Sequence, residues 1–193
     1  MALAASALTP ALIRQLPAGR PVVCDPGACS GLGSALAEHH RLILPPQEAA
    51  IGYAIPTAIG VALAENRERA GAGGSNIAPV VVLADPQALL MTGPELTTAA
   101  REKLPLLIIV PVSSAVNGSA DHVPSQPFLF GARIDLAEFA RSFGFPFLTA
   151  DGGDTRAAEK TIAEAMTHMV AACASCVIVE WRALQQHLSP QPA

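Results

Sequence analysis

The sequence predicts a three-layer α/β/α domain around a mostly parallel sheet, and three observations predict it. Val80-Val81-Val82-Leu83 and Leu106–Val112 (LLIIVPV) are unbroken apolar runs, the mark of parallel strands buried on both faces. Strand, helix and strand fit between Val80 and Val112, the length of one βαβ unit. Pro21–Cys24 (PVVC) and Cys176–Trp181 (CVIVEW) repeat the buried-strand pattern on either side.

Composition bounds what such a domain does. The chain has 193 residues, 51% hydrophobic and 15% charged, enough apolar mass for one globular domain spanning 1–193. A net charge of −4 and an aromatic content of 4% argue against a nucleic-acid-binding face. No stretch has the length and apolarity of a membrane helix. The opening segment lacks a basic start, and Arg14 interrupts its apolar residues, so it reads as a helix and not as a signal peptide. The expected location is cytoplasmic.

Taken in order, Leu8, Leu12 and Leu16 lie on one face of that first helix, with Thr9-Pro10 as its start. After the Pro21–Cys24 strand comes a glycine-rich turn from Asp25 to Gly33. Its spacing does not fit GxGxxG, so a dinucleotide site is set aside in favour of an ordinary loop. A short helix is expected over Ser34–His40 and a short strand over Arg41–Leu44. Gln47–Glu65 then reads as a tightly packed helix, through Ala49, Ala50, Ile55, Ala58, Ile59, Ala62 and Leu63. Glu65–Ala78 is polar and glycine-rich, a surface loop within one domain.

Inside the βαβ unit, Thr92-Gly93-Pro94-Glu95 fits a capping box that would start the helix, with Pro94 in its first turn. Parallel strands open their C-terminal ends onto one edge, so Asp85 and Ser113 should face one crevice, where open α/β sheets bind ligands. Further on, a helix with Ala158, Ile162, Ala165, Met166 and Met169 on one face spans Thr155–Ala172. Cys173-Ala174-Ser175-Cys176 has CxxC spacing, but no second pair or nearby histidine pair completes a metal site. The four cysteines read as small buried residues. Leu188–Ala193 reads as a frayed tail.

Several blocks carry a resemblance. Met91-Thr92-Gly93-Pro94-Glu95-Leu96 and Leu104-Pro105 resemble the M-T-x-x-E-L helix and L-P strand entry of one family, and Ile51-Gly52-Tyr53-Ala54-Ile55-Pro56-Thr57-Ala58-Ile59-Gly60 resembles its M/I-G-x-x-L-P-x-A-I-G segment. The family is the diphosphate-binding (PP) domain of thiamine-diphosphate-dependent enzymes of the acetolactate synthase and 2-oxoacid decarboxylase type. Gln126-Pro127 and the block from Ile134-Asp135-Leu136 to Phe143-Gly144-Phe145 are similar to two-subunit sulfopyruvate and phosphonopyruvate decarboxylases.

The resemblance implies thiamine diphosphate and Mg²⁺ as cofactors, and cofactor contacts at Ala49, Ile51, Asp85, Pro86, Gln87, Ser113 and Ala115. Ile51 would prop the cofactor, although an isoleucine there also reads simply as core. The carbonyl of Ala49 would bind its aminopyrimidine, and Asp85, Ser113 and the Ala115 carbonyl would hold the metal. In the family a GDG triplet and an N-N pair supply these ligands; here they read Ala84-Asp85-Pro86 and Val112-Ser113. Counting back from Met91-Thr92 puts Pro86 at the aspartate position, or Asp85 if one residue is inserted. Asp121 and His122 could act in a loop over the crevice, or be solvated loop residues. No pyrimidine-binding domain fits within the chain. The resemblance therefore implies a partner subunit that carries one, together with homo-oligomerisation. A non-catalytic relative kept as a scaffold is the competing reading.

Overall fold

Each apolar run marked as a buried strand forms one in the computed structural model, which describes residues 7–26, 36–45, 51–71, 78–113, 128–129, 132–133, 135–171 and 176–183. Strands β1 (Pro21–Cys24), β2 (Arg41–Ile43), β3 (Val80–Leu83), β4 (Leu106–Ser113), β7 (Phe147–Asp151) and β8 (Cys176–Ala183) build one sheet. Its order is β2-β1-β3-β4-β8-β7, with every neighbouring pair parallel. Two short strands, β5 (Phe128–Leu129) and β6 (Ala132–Arg133), pair separately as an antiparallel hairpin that the sequence did not announce.

Helices cover both faces because strand side chains alternate. Val22, Cys24, Val81, Leu83, Leu107, Ile109, Val177, Val179 and Trp181 point to one face, packed by α1 (Leu8–Gln15) and α6 (Thr155–Ala171). Val23, Val80, Val82, Leu106, Ile108, Val110 and Ile178 point to the other, under α2 (Ala54–Gly71), α3 (Pro86–Thr92), α4 (Leu96–Arg101) and α5 (Leu136–Ser142). Nearly all these strand residues are fully buried, which is why the runs are continuous and not alternating. Among the described residues no helix is long and apolar enough to cross a membrane.

Several expectations are corrected. The helix expected over Gln47–Glu65 begins only at Ala54, because Gly52 holds φ +99°, a conformation no helix contains. That helix continues to Gly71, through residues read as a loop. Glu65, Arg67, Glu68 and Ala70 are good helix formers. Glu65 also anchors the helix, accepting from Arg20 Nη2 at 2.5 Å and Arg41 Nη2 at 3.1 Å. Arg20 further donates to the Pro79 and Ala78 carbonyls, clasping the sheet's N-terminal edge. The cysteine reading holds for Cys176, which is buried and donates from Sγ to the Leu104 carbonyl at 3.5 Å. Cys24 is buried as expected, but it is disulfide-bonded and not a simple packing residue. Residues 36–37 are helical and 38–39 form a turn. His40 lies in a bend, and residues 34–35 of the expected Ser34–His40 helix and the Leu188–Ala193 tail lie outside the described residues.

His40, at the entry to β2, is buried, and neither ring nitrogen has a hydrogen-bond partner among the described residues. Burial pushes its pKa below the ordinary value; the Leu12 backbone opposes the shift, and His39 and Arg20 add to it by repulsion. The unfolded chain therefore takes up a proton before the folded one does. Stability from this group is full above the unfolded pKa and is lost as pH falls through it. Urea midpoints should drop between pH 7.5 and 5.5, and His40→Phe should flatten that drop. An unchanged pH slope in the variant would contradict the assignment.

Candidate functional site

The chain leaves β1 towards β2 on one side, then returns through α2 to place β3 on the other side of β1. The connections after β1 and β3 diverge from neighbouring strand ends, and at such a point an open parallel sheet carries its ligand crevice. Asp25 follows β1 here, and Ala84-Asp85 follow β3.

Asp25 is 1% exposed and is the residue that sequence reasoning missed. Its Oδ1 accepts from the amides of Gly52 at 3.1 Å and Ala54 at 3.0 Å, and its Oδ2 accepts from the Asp85 amide at 3.2 Å. Its own amide donates to the Leu83 carbonyl at 2.9 Å. One carboxylate thus ties β1 to the turn before α2 and to the turn after β3. Burial raises its pKa above the ordinary carboxylate range, outweighing the three amides, and the charge of Asp85 adds to the rise. With the folded pKa raised, the stability this group contributes is full below the unfolded pKa and is lost as pH rises through the folded one. The signal available in the sequence was a lone aspartate directly after a buried strand.

Asp85 is the N-cap of α3. Its Oδ1 accepts from the Gln87 amide at 2.8 Å, and Pro86 at the first helical position gives up no needed N–H. The helix therefore starts seven residues before the expected capping box. By Thr92 the chain is already helical, so the Thr92 hydroxyl bonds back to the Ala88 carbonyl at 2.8 Å and caps nothing. At Pro94 the helix pinches into a 3₁₀ turn, Gly93–Glu95, before α4. Gly93 fits there because a Cβ would sit 2.8 Å from the Phe139 ring of α5.

Ile51 is 43% exposed, which overturns its reading as core, and it stands at the crevice beside Gly52. Leu44 and Met91 are also exposed near this edge, at 53% and 60%. Pro86 is buried and Gln87 exposed. Ser113 ends β4, paired with Ala183 of β8, so its backbone lies at the same sheet edge as Asp85. Ala49, Ala115, Asp121, His122, Gln126 and Pro127 lie outside the described residues.

Whether these residues suit a Mg²⁺-bound diphosphate is decided by the donors. Mg²⁺ demands an octahedron of hard oxygens. Of the two carboxylates that follow β1 and β3, Asp25 has both oxygens committed to amides, and Asp85 has one committed to its own helix. Pro86 offers no N–H to a phosphate. Among the described residues no three His, Cys, Asp or Glu side chains gather as a metal site. The described donor set does not fit a strongly held metal.

Fold and crevice together define an open, doubly covered parallel α/β domain of the ligand-binding kind. Residues 27–178 match the family "Thiamine pyrophosphate enzyme, C-terminal TPP binding domain", and the chain belongs to that family. A solved structure from Mycobacterium smegmatis, assigned as a thiamin diphosphate-dependent enzyme, is similar with a TM-score of 0.64 at 19% identity. The match covers 92% of this chain and 31% of that one, so the chain spans about a third of that protein's length. Comparison with curated proteins gave no match.

Gly52 is needed twice over: for its φ of +99°, and because a Cβ would meet Thr92 Cγ2 at 2.9 Å. Gly52→Ala should cost about 1–3 kcal/mol in urea unfolding. Adding Thr92→Ser should recover the steric part and leave the backbone part. A Gly52→Ala chain as stable as the native one would refute this.

Proposed function

We propose that this chain is the diphosphate-binding (PP-type) module of a thiamine-diphosphate-dependent 2-oxoacid decarboxylase or synthase, acting with a separate pyrimidine-binding partner. The observation that carries the reading is the switch in strand order between β1 and β3, where open parallel sheets take their ligands, in a chain whose residues 27–178 belong to the TPP-binding family. The exposed Ile51, on the turn that Asp25 fixes, is suited to meet an apolar cofactor surface. The similar solved protein is about three times as long, which supports a module that works within a larger assembly. On α2, Pro56, Gly60 and Ala64 form an exposed strip of small residues, where a second copy or the partner chain could pack closely.

A specific observation favours a second reading, a scaffold or regulatory relative with lost cofactor binding. The Asp85 carboxylate caps its own helix, and Pro86 is buried where a phosphate-binding amide would be wanted.

Titration calorimetry with thiamine diphosphate and Mg²⁺ tests the two. The native chain should bind weakly, because losing one charge-assisted ligand costs about 1.5–3 kcal/mol, one to two decades in affinity. Pro86→Gly with Ser113→Asn should tighten binding under the first reading, and a double variant with no gain favours the scaffold. Tight Mg²⁺-dependent binding by the native chain would show that the altered ligands matter little. The purified chain should turn over no 2-oxoacid alone, and light scattering should show a species larger than a monomer. Steady turnover, or a strict monomer at high concentration, would count against the proposal.

A further inference from the structure

We propose that Asp25 is a positioning residue that couples the two halves of the crevice, one carboxylate oxygen setting the Gly52–Ala54 turn and the other setting the β3–α3 turn at Asp85. Which ligand the crevice takes rests on the reading above; the coupling itself does not.

The chemistry of the residue carries the inference. Asp25 is buried, and among the described residues no Lys, Arg or His forms an ion pair with it. Holding a carboxylate there without a counter-ion is costly. An asparagine would be less costly and could still accept from Gly52 and Ala54 through its one oxygen. It would then turn an NH₂ group onto the Asp85 amide, donor against donor. Only a carboxylate accepts on both sides at once. The two turns it joins belong to different βα connections. One presents the exposed Ile51; the other starts α3 with the Asp85 cap and the exposed Gln87. A displacement of either turn is therefore passed to the other through a single side chain a few ångströms across.

The substitutions separate this role from plain structural support. In Asp25→Asn, amide hydrogen exchange at Asp85 should speed up roughly ten- to a hundredfold, the worth of one hydrogen bond to a charged group, while Gly52 and Ala54 stay within about threefold. In Asp25→Ala, all three amides should speed up. Core amides such as Val81 and Ile108 should be unchanged in Asp25→Asn. If Asp85 exchange is unaffected, or core amides accelerate equally, the coupling is wrong. Should the alanine variant fail to fold, the asparagine variant decides alone. Titrating native and Asp25→Asn protein with inorganic pyrophosphate gives a second arm. If the native chain binds and the variant binds at least tenfold more weakly, the coupling reaches the ligand. If the native chain binds none, the cofactor reading falls while the exchange result still decides the coupling.

Discussion

A single buried carboxylate holds the crevice together. Three main-chain amides, from Gly52, Ala54 and Asp85, converge on Asp25, and none of these residues is adjacent to it in sequence. Each amide would otherwise be an unpaired donor near the sheet edge, at a cost of roughly 1–3 kcal/mol if buried. Satisfying all three with one side chain fixes where α2 and α3 begin. It also obliges the fold to keep a carboxylate largely out of water, which is why burial raises its pKa despite the amides around it.

The arrangement is set into the buried middle of the sheet. The strands carrying the crevice are central ones, with β1 between β2 and β3 and β3 between β1 and β4, and their side chains are almost wholly buried. At the opposite edge, Arg20 and Arg41 share Glu65, so α2 is held at two places: by Asp25 at its start and by the ion pairs further along. Surface ion pairs add little to stability. Here Arg20 is mostly buried and also satisfies two carbonyls, so its role is to fix geometry.

The sheet was legible because β-branched runs such as Val80–Leu83 and Leu106–Val112 leave no other use for such residues, and each became a strand at the expected place. Local chemistry was less legible where two signals competed. Thr92-Gly93-Pro94-Glu95 spells a capping box, yet Asp85-Pro86 spells a helix start earlier in the chain, and it is Asp85 that caps. Polar composition concealed the second half of α2, because what holds Glu65 there is a pair of arginines distant in sequence. Asp25 was hidden for the same reason: its partners are 27, 29 and 60 residues away, and an aspartate after a strand is by itself a weak local mark. Ile51 reads as core from its residue type, and its exposure beside Gly52, a glycine of positive φ, is visible only in the fold.

The family gives the fold its ligand class, and the residues at the crevice decide how much of that class this chain retains. Both questions pass through Asp25. The most direct measurement is a carbon-13 NMR titration of the Asp25 carboxyl, followed together with the amide protons of Gly52, Ala54 and Asp85. The expected result is a carboxyl that titrates above the ordinary aspartate range, with all three amides shifting at that same pH. A carboxyl titrating in the ordinary range, or amides that do not follow it, would contradict the central role given to this residue.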